Sequence, residues 1–139
     1  MRTLLLTLIL SVAVVAAEVQ RTNEQFVVAK GLAVRPFATQ GQLSNPSSID
    51  VDDRGRVWVA EAFNYRKKTR KAGDRILILE DTDGDNKADN VKTFYQGRDV
   101  DSAHGVSVFG GKVVVAVADR IIVFTDKNGD DKPDSKENL

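Results

Sequence analysis

The stretch "DRILILEDTDGDNKAD" fills residues 74–89, and "DRIIVFTDKNGDDKPD" fills residues 119–134, at an offset of 45 throughout. Asp, Arg and Ile coincide at the head of both copies and alternating apolar positions follow. Asp81, Asp85 and Asp89 then fall on Asp126, Asp130 and Asp134. Self-similarity of this kind has to be settled first, because a repeat architecture is misread whenever it is missed. Upstream, "SSIDVDDRGRVWVAEA" from Ser47 matches "HGVSVFGGKVVVAVA" from His104, with Ile49 on Val106 and Val57 on Val113, at an offset of 56 to 57. The offsets differ because the first copy carries an insertion within "FNYRKKTRKAG".

Each copy therefore holds the same series of strand signals, which in the first copy read "SIDV", "RVWVAEA", "RILIL" and the more polar "VKTFYQ". Near-continuous Val, Ile, Trp and Leu predicts that the second and third strands are covered on both faces, while the polar fourth suits an outer edge. Beyond the N-terminal apolar run no segment sustains a 3.6-residue apolar period, so helix is not expected. The chain reads as all-β. A four-stranded unit repeating every 40 to 50 residues marks a β-propeller blade. The predicted organisation is a leader over 1–17, an N-terminal strand segment over 18–44, one blade over 45–98 and a second, incomplete blade over 99–139. Antiparallel order sends successive turns to opposite ends. The turns "DDRGR" and "DTDGDNKAD" should share one end, and the insertion and "GRDVDSAHG" the other.

Composition excludes several classes of function. Twenty basic residues balance twenty acidic ones, and nothing points to nucleic acid. There is no cysteine, which removes disulfides, Cys-ligated zinc, iron–sulfur centres, CxxCH haem and a lipoprotein anchor. Arg2 precedes an apolar run from Leu4 to Ala17 that ends in small residues, the pattern of an export signal. About fourteen apolar residues fall short of the roughly twenty that span a bilayer. An exported, periplasmic or extracellular protein with no transmembrane span in its mature chain is expected.

The acidic turns have the ligand spacing of a calcium loop, because alternate residues in a tight turn can converge their oxygens on one hard cation. In the first turn the candidates are Asp81, Asp83, Asp85, Lys87 through its carbonyl, and Asp89. In the second they are Asp126, Asn128, Asp130, Lys132 through its carbonyl, Asp134 and, at position twelve, Glu137. The first copy has Lys92 at position twelve, so its set is the shorter one. At position six, where Gly is usual, stand Asn86 and Asp131, residue types that tolerate left-handed backbone. The alternative is a metal-free turn, since Asp, Asn and Gly are ordinary turn residues. Calcium bound here would pin a turn and not perform catalysis.

At "NPSSIDVDDRGRVWVAEAFNYR" and "GDRILILEDTDGDNKAD" the chain resembles the N-terminal propeller domain of membrane-bound dehydrogenase-type proteins, relatives of the soluble quinoprotein glucose and sorbosone dehydrogenases. The resemblance runs from Phe26 to about Lys136. It is carried by Asn45-Pro46, Asp52, Gly55, Trp58, Glu61 and the DxDGD turn. It implies a six-bladed propeller in an exported protein and oxidation of a sugar or alcohol with pyrroloquinoline quinone. The remaining blades of a longer chain would be partners of the two present here. The rival reading is a non-catalytic propeller that binds glycans or proteins.

His104, the only histidine, enters a strand on the same end as the basic insertion. In the quinoprotein relatives a histidine near the axis takes the substrate hydroxyl proton, and as a lone residue it equally suits a strand end. Tyr65, Arg66, Lys67 and Lys68 are candidates for holding an anionic substrate or a quinone carboxylate, or for an exposed solvated loop. Trp58 reads as packing.

Overall fold

The computed structural model describes residues 26, 28–66 and 70–139, and the leader over 1–17, with Lys67 and Lys68, lies outside them. The chain divides between Arg35 and Pro36. Before that division the described residues carry one turn at 30–31 and neither helix nor strand.

After it come eight strands: β1 (Pro46–Val51), β2 (Val57–Glu61), β3 (Asp74–Glu80), β4 (Asn90–Gly97), β5 (Gly105–Phe109), β6 (Lys112–Ala116), β7 (Ile121–Thr125) and β8 (Ser135–Asn138). They form two antiparallel four-stranded sheets in the orders β1-β2-β3-β4 and β5-β6-β7-β8. The fold is all-β, consistent with two propeller-like blades. β8 completes the second sheet, so the incompleteness expected over 99–139 does not extend to its strand count. Of the strand segment expected over 18–44, residues 18–25 and 27 lie outside the described residues, and none of the described ones is a strand. Pro36 cannot donate to a ladder, and the Gln42 amide closes a turn onto the Thr39 carbonyl at 3.0 Å.

Two turns show why the chain reverses where it does. Gly55 has φ +78° and donates to the Asp52 carbonyl, while Asp52 Oδ1 accepts the amides of Arg54 and Arg56 at 3.0 and 2.9 Å. Gly73, with φ +90°, closes the insertion where a Cβ would stand 2.1 Å from the carbonyl carbon of Gly97. Between Ile76 and Leu77 the β3–β4 register shifts, so Phe94 is an extra, bulged residue. The bulge delivers the Phe94 ring to the space between the sheets, edge-on to Trp58 at 5.0 Å and to Phe124 at 6.0 Å.

The main core lies between the sheets. Trp58, Ala60, Ile76, Ile78 and Phe94 from the first sheet meet Val106, Val113, Val115, Ile122 and Phe124 from the second. Burial of a side chain such as Phe124 stabilises the fold by about 2–3 kcal/mol. On the far face of the first sheet, Val59, Leu77 and Leu79 are covered by Phe37, Ala38 and Leu43 of the irregular segment ahead of β1. That segment accepts the Ala88 amide on the Phe37 carbonyl at 2.8 Å, which ties it to the end of the first acidic turn.

The faces that meet are not equivalent ones. At the repeat offsets Trp58, Ile76 and Ile78 correspond to Val114, Ile121 and Val123, which point away from the interface and are half-buried or exposed. The sheets therefore stack front to back. Polar contacts fix their register: Val106 and Val108 on β5 donate their amides to Ser48 Oγ and Asp50 Oδ2 on β1 at 3.2 and 2.7 Å. No helix among the described residues is long and apolar enough to cross a membrane.

Candidate functional site

The β1–β2 turn and the acidic β3–β4 turn occupy one end of the first sheet, as strand parity requires, and the insertion and the β4–β5 connection occupy the other. At that second end an open cleft of about 750 Å³ runs between the two sheets. Asn45 and Pro46 line it where the chain enters β1, Phe63, Tyr65 and Arg66 come from the insertion, and Ser102 and His104 come from the connection into β5. The structure thus brings the predicted residues Tyr65, Arg66 and His104 to one place. Most of the exposed lining is apolar.

The cleft walls rest on a buried ionic framework. Glu61, fully buried at the end of β2, accepts from Arg70 Nη1 at 2.6 Å, from Arg75 Nε and Nη2 at 2.7 Å, and from the Ser44 amide at 2.8 Å. Burial alone would raise its pKa, but the Arg75 and Arg70 guanidiniums outweigh burial and hold the carboxyl below the usual range. Asp74, equally buried, accepts the amides of Asn64 at 3.1 Å and Ser102 at 2.9 Å, so it fastens both sides of the cleft at once. Asn64 bonds Asp101 Oδ1 at 2.9 Å and the Arg70 carbonyl at 3.0 Å. The Arg70 guanidinium then lies 4.5 Å over the ring of Phe63. Among the described residues every buried side-chain nitrogen and oxygen has a partner.

Asn45 and Ser102, on opposite sides of the cleft, hold φ of +48° and +62°, the left-handed region that non-glycine residues adopt at some cost. Each is held by a hydrogen bond, Asn45 through its carbonyl to the Ala62 amide and Ser102 through its amide to Asp74. Such positions concentrate at binding sites. His104 is exposed, with Nδ1 3.4 Å from the Ser102 carbonyl, and no carboxylate orients its ring among the described residues. The Arg66 guanidinium lies 5.8 Å from the ring centroid of Tyr65.

The acidic turns at the opposite end share one hydrogen-bonding skeleton. Asp81 accepts the amides of Gly84 and Asn86 at 2.7 and 2.8 Å, and Asp126 accepts those of Gly129 and Asp131 at 2.7 and 3.0 Å. Partial desolvation opposes the shift, but the Asn86 and Gly84 amides hold Asp81 below the usual carboxylate range. Asp81, Asp83 and Asp89 each place an oxygen within 4.8 Å of the others. A calcium ion with ligands at about 2.3–2.6 Å spans that separation, so the group fits a hard cation. Asp85 turns aside to Lys87, 3.2 Å away. Among the described residues Asp126, Asp130 and Asp134 form no such group, because Asn128 stands where the first turn has Asp83. Glu137 lies in β8 opposite Val123, and Lys132 is exposed.

Sequence reasoning missed the use made of position six. Asp131 receives Arg56 Nη1 at 2.6 Å and Lys92 Nζ at 2.7 Å from the first sheet, with Arg54 at 3.4 Å. Arg56 is itself buried, bonded to Asp52 at 2.8 Å, and Asp52 also accepts the Trp58 indole at 2.9 Å. A carboxylate in place of the expected glycine was the available signal. Phe63, Asn45 and Ser102 were missed as cleft residues, and nothing in their spacing announced them.

Comparison with curated proteins and with solved structures gives no match. A family model described as a domain of unknown function, DUF7133, matches residues 18–139.

Proposed function

The chain belongs to the DUF7133 family, and from that premise we propose that it forms a two-sheet sector of an exported propeller-type protein of the membrane-bound dehydrogenase kind, whose cleft binds a sugar or sugar alcohol. The observation that carries this reading is the meeting of His104, Tyr65, Arg66 and Phe63 around one cleft between the sheets. Aromatic rings can cover the apolar face of a pyranose while Asn45 and Ser102 offer polar groups to its hydroxyls, the usual composition of a small-ligand site. His104 is the side chain able to accept a proton from a substrate hydroxyl.

A quinone bearing several carboxylates would bring the oxidising power, accepting the two electrons of the alcohol carbon. The described cleft residues offer it one guanidinium, so they do not make up a quinone site by themselves. Oxidation in this reading requires further sheets of the same repeat packed on the outward face of β6 and β7. Calcium held by Asp81, Asp83 and Asp89 would pin the first acidic turn. Residues 1–17 support export by their sequence pattern.

A non-catalytic glycan-binding propeller is the second reading, favoured by the absence of a carboxylate orienting His104 among the described residues. Adding the quinone and calcium to a chain extended by its further repeats, and following dye reduction with aldoses, separates the two. Turnover that His104→Gln abolishes supports the dehydrogenase. Sugar binding without turnover supports the binding module.

A further inference from the structure

We infer that the cleft between the sheets selects a saccharide with a carboxylate on its ring, a uronic acid, and that Arg66 is the recognising side chain. The inference rests on the reading of the cleft as a sugar site and specifies the substrate class. Its basis is the fate of the arginines. In the unit that contains both sheets, Arg54, Arg56, Arg70, Arg75, Arg98 and Arg120 each lie within 4.0 Å of a carboxylate. Arg66 has no carboxylate partner among the described residues, and it stands on the cleft wall.

Among the described residues no Asp or Glu lines the cleft, and Arg66 is its one formally charged lining group, beside His104. A ligand entering there meets one guanidinium and apolar rings, with no carboxylate among the described lining residues. A guanidinium presents paired N–H donors that match a carboxylate in a bidentate fashion. Tyr65, beneath Arg66, adds a flat apolar surface for the pyranose ring. A neutral hexose would use the aromatic surface and leave the guanidinium to water. A uronate uses both, because its carboxylate projects from the edge of the ring that stacks.

Calorimetric titration of the full chain with trigalacturonate and with its methyl ester tests this. EDTA is present throughout, so that the acidic turns cannot bridge to the ligand through a divalent cation. The acid should bind about tenfold more tightly than the ester, the scale of a charge-assisted hydrogen bond. Arg66→Gln should bring that ratio to about one, and Arg66→Lys should retain part of it. Because Arg66 is exposed, its replacement should leave the thermal melt unchanged. Equal affinity for acid and ester would overturn the inference and leave the sugar reading standing. Binding of neither would remove both. Preference for the acid that survives Arg66→Gln would overturn the assignment to Arg66, and equally good displacement by polyglutamate would overturn the selection of a saccharide.

Discussion

The two acidic turns have one backbone plan and different employment. Both fold around an aspartate that caps two amides, Asp81 in the first and Asp126 in the second, and both place a left-handed residue at position six, with φ of +68° at Asn86 and +65° at Asp131. The first turn gathers three carboxylates and leaves its sixth residue neutral. The second has Asn128 in the middle of that gathering and spends its sixth residue on Arg56 and Lys92 of the neighbouring sheet. Position in the stack accounts for the difference. Asp131 lies beside a sheet that offers it cations, whereas the face below Asn86 belongs to the Phe37 and Leu43 segment. A repeat conserves the turn geometry and frees the side chains for local use.

The largest test of this contrast is Arg56→Ala, which leaves Asp52 without its cation and Asp131 with Lys92 and Arg54 alone, and should cost about 3–5 kcal/mol in urea unfolding. Lys112→Ala, at the repeat-equivalent and exposed position, should cost less than about 0.5 kcal/mol. Comparable losses at both sites would show that the sheets are not joined by this cluster. Calcium comes next. At a hundredfold excess over Kd it should add about 2.7 kcal/mol to stability, and Asp83→Asn should abolish that gain. Asn128→Asp, which gives the second turn its missing carboxylate, should enlarge the response; melts in calcium and in EDTA read both.

Asp131→Asn keeps the left-handed turn but removes the charge, with an expected loss of about 2 kcal/mol, the scale of a charged hydrogen bond. The reverse exchange, Asn86→Asp, should stay within about 0.5 kcal/mol. The smallest effect is on pH. Burial pushes Asp131 upward, but Lys92 and Arg56 prevail and hold it below the usual carboxylate range. Its contribution is therefore complete at neutral pH and is lost as pH falls through that depressed value. Acid unfolding curves of Asp131→Asn should be shallower than those of the parent on their low-pH limb.

Much of the fold was legible because a repeat makes the chain its own comparison. Two offsets located both sheets, the four strand signals and the insertion, and strand parity alone placed His104 at the same end as Tyr65 and Arg66. What escaped is what depends on one sheet meeting another. Asp131 stands where its turn usually has glycine, but only the approach of Arg56 gives its charge a purpose. The segment at 37–43 has no strand period to announce it, yet it covers Val59, Leu77 and Leu79. Glu61 was visible only as part of the motif that carries the resemblance, and its partners Arg70 and Arg75 converge only after the insertion has folded back through Gly73. The cleft lies between sheets, so its aromatic and amide lining follows from their separation and not from any spacing along the chain.

Stacking front to back gives the pair of sheets a direction. The first sheet receives the second on its Trp58 side and has its other side sealed by Phe37 and Leu43, while the second turns the counterpart of that receiving side, Val114, Ile121 and Val123, to solvent. Assembly from such units extends one way: each added sheet hides one docking surface and exposes another of the same kind, until curvature brings the last to the first or something unlike the repeat lies down on it.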